Sequence, residues 1–297
     1  GRKQGKGIHS RQYMTTATKS SVIRNRAALP MFALTLPIIL ENSFRILVSS
    51  VDTFMLGSWS PKAVAAAGMM AQYIFLITIL MNVICIGTSI VLSQYLGAKR
   101  EEEATKVTQA SAVMISLTAL TISALVLFGT RPLLSQYDIE VEVRDMAWRY
   151  FTIFGGFGSL FMAFSLLQGT VLRAYGYTKD AMYISMIANV INIIGNAISL
   201  YGFFGLPVFG ITGVAISSLI SQIAACILLA WRIKIKKDVH FPLSGWLTVP
   251  RNIYRVILKI GVPTAGENLA YNTAQIVIMK MVTLYGTWAM SAMIYTQ

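Results

Sequence analysis

Apolar residues fall into seven long runs separated by short polar breaks. Each run holds about 20 residues or more, enough to cross a bilayer core at a rise of about 1.5 Å per residue. The runs predict helices over 29–57, 62–96, 103–134, 142–174, 180–203, 209–237 and 253–284. The breaks read "GSWSPK", "LGAKREEEATK", "YDIEVEVRD", "RAYGYTKD" and "FFGLPVFG". Strands are excluded because the runs are too long and lack period-two alternation. The pattern therefore predicts an all-α integral membrane fold.

The linker "WRIKIKKDVHFPLSGWLTVPRNIYRVILK" differs from the other breaks. It mixes cations, two prolines, Phe241 and Trp246, as a segment lying along the membrane interface would. Four parts follow: a basic cytoplasmic tail over 1–28, a six-helix lobe over 29–237, an interfacial linker over 238–252, and the start of a second lobe over 253–297. An internal repeat supports the division. "LPIILEN" at 36–42 and "VPTAGEN" at 262–268 share Pro-x-x-x-Glu-Asn at an offset of 226. "AVAAAGMMAQ" at 63–72 and "WAMSAMIYTQ" at 288–297 follow at an offset of 225. Six helices per repeat give two parallel halves about an axis along the membrane normal. On that reading the chain is truncated inside the second lobe of a protein of about twelve helices.

Only 12% of residues are charged, about half the share of a soluble domain. The net charge of +13 gathers at the ends of the apolar runs, which points to topology and lipid headgroups rather than nucleic acid. The tail and the second–third, fourth–fifth and sixth–seventh connections hold nineteen Lys and Arg. The opposite side holds Lys62, Arg131, Arg144 and Arg149, beside Asp138, Glu140, Glu142 and Asp145. The positive-inside rule makes the first side cytoplasmic, giving a multi-pass cell-membrane protein with its N-terminus inside. Cys85 and Cys226 sit singly within apolar runs, and His9 and His240 have no second ligand nearby. No disulfide framework or metal spacing results, and no nucleophile–base spacing indicates an enzyme.

The first helix carries charge in its apolar run. Glu41 and Asp52 are eleven positions apart, so they share a face with Arg45 and Ser49 between them. Glu41 and Arg45 are spaced to neutralise each other as an i,i+4 pair. Asp52 has no such partner in its own helix. Two readings stay open for it: a role at the helix end, or a carboxylate whose charged form burial disfavours, able to take up and release a proton. Asn189, Asn192 and Asn196 line one face of the fifth helix. They serve either as glue between helices or as a hydrogen-bonding wall opposite Asp52. "QGTVLRAYGYTKD" reads as structural, with Arg173 and Lys179 meeting lipid phosphate and the helix C-terminal dipole, and Gly176 allowing a sharp turn.

"LPIILENSFRILVSSVDTFMLG", "AVAAAGMMAQ", "GTSIVLSQYLGAKREEEA", "QGTVLRAYGYTK" and "GVPTAGENLAYNTAQIVIMK" together resemble the multidrug and toxic compound extrusion (MATE) transporters. The resemblance runs from about residue 29 to 297. It implies two lobes opening alternately to either side, exporting small amphiphilic or cationic compounds in exchange for protons or sodium ions. It assigns ion coupling to Asp52, aided by Asn189, Asn192 and Asn196. It makes Pro37, fifteen positions earlier, a hinge, and sets Glu41, Asn42, Arg45, Glu267 and Asn268 near the substrate cleft. Some members carry Asp where this chain has Asn196, a departure that favours protons, although a sodium ion near Asp52 stays open. The expected cofactors are none beyond the coupling ion. The expected partners are the amphiphilic substrate and the lipid bilayer, with a monomer in the full-length form. The rival readings are a flippase for lipid-linked saccharides and a channel.

Overall fold

The computed structural model describes residues 31–202, 207–241 and 250–283. Its helices are α1 (Met31–Trp59), α2 (Pro61–Gly97), α3 (Glu101–Leu134), α4 (Val141–Ala174), α5 (Thr178–Tyr201), α6 (Gly210–Ile235) and α7 (Arg251–Thr283). Apart from Met31 and Thr283, where the described residues begin and end, every boundary falls within two residues of the hydrophobic pattern's expectation. No strand occurs among the described residues. Among them, α2 to α6 are each long and apolar enough to cross a membrane. The basic tail over 1–28 lies outside the described residues, as do 242–249 of the linker and the repeat segment at 288–297.

Local chemistry sets the helix ends. α1 runs on through Gly57, Ser58 and Trp59, so the first break is tighter than the sequence suggested. Ser60 then caps α2, its Oγ accepting from the Ala63 N–H at 3.4 Å, and Pro61 takes the first helical position. Glu101, Glu102 and Glu103 occupy the positive first turn of α3. Gly176 turns the chain between α4 and α5 at φ +83°, a conformation only glycine adopts freely.

α4 departs from the pattern. Its α-helical ends, Val141–Tyr150 and Gly158–Ala174, flank a π-helical segment, Phe151–Phe157. The segment contains Gly155 and Gly156. A Cβ at Gly156 would meet Leu127 Cδ2 of α3 at 2.9 Å, so close packing and the wide turn coincide there. Hydrophobic spacing cannot report a single widened turn in an otherwise continuous apolar run.

The interior is filled by Met70, Met81, Leu92, Ile115, Leu167 and Leu172, all fully buried. The outside is also apolar: Phe54 is 77% exposed and Phe128 84%, as expected of surfaces facing hydrocarbon. Since lipid is as apolar as Leu, the helices associate through close packing and polar contacts. Thr88 and Ser111 join α2 to α3 at 2.6 Å, and Ser165 donates to Gln222 across α4 and α6 at 3.2 Å. α7 lies along α2, where Gly87 faces the Ile257 carbonyl and Gly261 faces the Val83 carbonyl. α1 packs chiefly on α5 and also on α2, which brings its charged stripe against the asparagine face.

Candidate functional site

Between α1 and α5 runs a seam of polar side chains with a definite direction. Asn192 Nδ2 donates to Ser218 Oγ of α6 at 3.0 Å. Asn192 Oδ1 accepts from Asn196 Nδ2 at 3.3 Å. The same Asn196 amide donates to Asp52 Oδ1 at 2.9 Å. Asn192 and Asn196 are buried, and Asp52 is partly buried. Asn196 Oδ1 is buried too, without a hydrogen-bond partner. A carboxylate in this place accepts a fixed donor, and an unused acceptor lies on the same amide. Ser199 and Ser217 extend the α5–α6 contact at 3.3 Å, and Ser58 meets Tyr201 at 2.9 Å beside it.

Of the residues proposed for ion coupling, Asp52, Asn192 and Asn196 are thus joined. Asn189 is partly buried one turn below and makes no side-chain hydrogen bond among the described residues. One participant escaped the sequence reading: Ser218 lies in a Ser-rich stretch of α6 whose facing partner only the packing reveals. Among the described residues no group of three or more His, Cys, Asp or Glu side chains gathers.

The pairing offered for Glu41 is corrected. Arg45 turns back along α1 and donates to Asn42 Oδ1 at 2.7 Å. Glu41 instead accepts from Arg173 Nη2 of α4 at 2.6 and 2.8 Å through its two oxygens. Arg173 was read as a contact for lipid phosphate and the helix dipole; it is a tether between α4 and α1. The Glu41 side chain is 14% exposed and that of Arg173 31%. A carboxylate so withdrawn from water needs a cation that stays with it, and Arg45 is exposed. Lys179 remains exposed.

Pro37 is buried within α1. There it removes a backbone N–H from the helix and crowds the preceding turn, at the end of α1 remote from Asp52. Glu267 is exposed on α7, and the Asn268 side chain lies outside the described residues. Pro263 occupies the interior of α7 as Pro37 does that of α1. At the same end of the lobe as Arg173, Asp180 pairs with Arg232 at 2.8 Å and Lys236 at 3.4 Å. Tyr177 donates to the Asp238 carboxylate at 2.8 Å and lies under Lys236 Nζ at 4.2 Å. These contacts pin the α4–α5 turn to the end of α6.

Comparison with known proteins agrees with this architecture. The MatE family model matches residues 37–198. The chain is 32% identical over 281 residues to an uncharacterized transporter, YisQ, of Bacillus subtilis (strain 168), covering 94% of this chain and 62% of that protein. It is 25% identical over 265 residues to a probable multidrug resistance protein, NorM, of Thermotoga maritima, covering 87% and 55%. The chain therefore spans between half and two-thirds of the length of these relatives. A solved multidrug resistance MATE family transporter in an outward-facing conformation superposes with a TM-score of 0.76 at 22% identity, over 86% of this chain and 55% of that one. With a family match that covers more than half of its residues and takes in the Asp52–Asn196 contact, the chain belongs to the MatE family of MATE transporters.

Proposed function

We propose that the protein is an antiporter that exports small amphiphilic or cationic compounds by alternating access, driven by protons or sodium ions. The observation that carries this reading is the Asp52–Asn196 hydrogen bond at 2.9 Å. It places an ionisable group between two helices, one of which contains an internal proline. The names of relatives add weight: NorM is described as a probable multidrug resistance protein, and the solved neighbour as outward-facing. The N-terminus is taken as cytoplasmic from the distribution of Lys and Arg.

The chemistry runs through the amide. An ionised Asp52 is an acceptor only, and Asn196 Nδ2 supplies its donor. A protonated Asp52 gains an O–H that needs an acceptor, and Asn196 Oδ1 is the buried acceptor left unused. Proton uptake thus exchanges one hydrogen bond for another and changes the α1–α5 contact. α1 responds at Pro37, where the helix already lacks a hydrogen bond. Glu41 and Arg173 hold the intervening turn of α1 against α4, so that the segments on either side move relative to a fixed point. Glu41, Asn42, Arg45, Glu267 and Asn268 are proposed as polar positions of the cleft between the lobes.

Reconstituted vesicles test the reading. Dye efflux is followed under an imposed proton gradient and, separately, a sodium gradient. The wild-type protein is expected to couple to one of them, and Asp52→Asn to lose that coupling while still folding. Gradient-driven efflux by Asp52→Asn at the wild-type rate would refute the assignment, and ion flux without cargo would indicate a channel instead.

A further inference from the structure

At the membrane face remote from Arg173, the end of α3 and the start of α4 enclose a cavity of about 300 Å³. Its lining consists of Arg131, Leu134, Arg144, Asp145, Trp148 and Arg149. Three arginines and a single acid therefore line one space. Among the described residues, none of the three has a carboxylate partner within 4.0 Å. Acids are not scarce nearby. Glu140 and Glu142 are committed to Lys62, at 2.8 and 2.6 Å, and leave the arginines alone.

Two of the arginines are held in place by something other than an acid. The Arg131 guanidinium lies 4.7 Å from the centre of the Trp148 ring, a cation–π contact that orients its plane. Arg144 Nη2 donates to the Tyr137 and Ile139 carbonyls at 3.2 and 3.4 Å, and its buried Nε has no partner. Arg149 follows Asp145 by one helical turn on α4 yet forms no ion pair with it. Guanidinium groups left without an acid, two of them oriented by their neighbours, suit a tetrahedral oxyanion, which accepts from several N–H donors at once. Phe128, 84% exposed, lies one turn before Arg131 on α3, so exposed apolar surface comes close to the cavity in the chain. Trp148 lies near the start of α4, and aromatics are enriched at the ends of membrane-spanning segments.

We infer that Arg131, Arg144 and Arg149 form a binding site for a phosphate group at this membrane–water boundary, with Trp148 as its wall. The phosphate comes either from a phospholipid headgroup or from solution. The site is separate from the Asp52 seam and does not depend on the transport mechanism.

Purified protein in detergent is titrated with short-chain phosphatidylglycerol, with phosphatidylcholine and with inorganic phosphate. Thermal unfolding and native mass spectrometry provide the readouts. Saturable stabilisation and one retained phosphatidylglycerol per protein, with inorganic phosphate inactive, support the site and name a lipid as its source. A comparable shift with inorganic phosphate supports the site and names a free anion. In both cases Arg131→Gln/Arg149→Gln is expected to weaken binding about tenfold or more, from the loss of charge-assisted hydrogen bonds. Asp145→Asn, which removes the competing carboxylate without touching a donor, is expected to tighten it severalfold. Binding of neither probe, or equal binding by wild type and both variants, would overturn the inference.

Discussion

Glu41 and Arg173 are 132 positions apart and share two hydrogen bonds, at 2.6 and 2.8 Å. The contact fixes the middle of α1 to the last turn of α4. Its energetics follow from its partial burial: each charge is tolerable there because the other is present. Removing Arg173 alone leaves Glu41 withdrawn from water without a cation. Arg173→Gln is expected to destabilise the protein by about 2 kcal/mol, below the ~3–5 kcal/mol of fully buried pairs. Glu41→Gln/Arg173→Gln should recover part of that loss. Arg45→Gln, at an exposed position, should remain within about 0.5 kcal/mol of wild type. Thermal unfolding of the four proteins in detergent decides the matter, and equal effects at Arg45 and Arg173 would contradict the pairing.

The hydrogen-bond chain from Ser218 to Asp52 predicts graded losses in coupled transport. Asn196→Ala removes the donor that reaches Asp52 directly, a bond to a charged group worth about 1.5–3 kcal/mol. A drop of roughly tenfold or more in ion-driven efflux is expected. Asn192→Ala, one step further away, should cost less, and Ser218→Ala least. Initial rates in vesicles measure the order. A reversed order would mean that the seam serves packing alone.

Pro37 offers a separation of stability from turnover. Pro37→Ala restores an N–H donor to the interior of α1, where proline carries a penalty of about 3 kcal/mol relative to Ala in an unconstrained helix. Part of that is expected to appear as a higher unfolding temperature, together with slower transport. A variant that is stabilised and transports at the wild-type rate would show that α1 does not bend there.

Close backbone approach between α2 and α7 makes Gly87 and Gly261 sensitive positions. A Cβ at either would overlap the carbonyl facing it, Ile257 or Val83 respectively. Gly87→Ala and Gly261→Ala are each expected to cost about 1–3 kcal/mol through overpacking. Gly68, whose added Cβ would meet nothing within 4 Å, is the control. Gly68→Ala should be neutral or slightly stabilising by helix propensity.

Orientation can be tested by labelling. A cysteine in place of Lys99, in the α2–α3 turn, should react with an impermeant reagent only from the cytoplasmic side. One in place of Asp138, in the α3–α4 connection, should react only from outside. The converse result would invert the assignment drawn from Lys and Arg counts.

The helices were legible in the chain because a bilayer punishes any unpaired backbone group. Long apolar runs admit little else, and their ends are marked by Ser60–Pro61, Glu101–Glu103 and Gly176. The same periodicity grouped Glu41, Arg45, Ser49 and Asp52 on one face of α1, and Asn189, Asn192 and Asn196 on one face of α5. Periodicity concerns one helix at a time. It had no means of showing that Asn196, rather than Asn189, lies level with Asp52, or that Ser218 of α6 closes the chain of donors.

The pairing of Glu41 shows the same boundary. By spacing alone Arg45 was its natural partner, since residues four apart on a helix are neighbours. The fold brought Arg173 of α4 within 2.6 Å of Glu41, and Arg45 took Asn42 instead. The sequence by itself determined which segments are helical, where they end and which faces are polar, because solvation by lipid acts on each residue separately. Only the tertiary structure decided which polar groups meet, because a partner more than a hundred positions away is chosen by how whole helices pack.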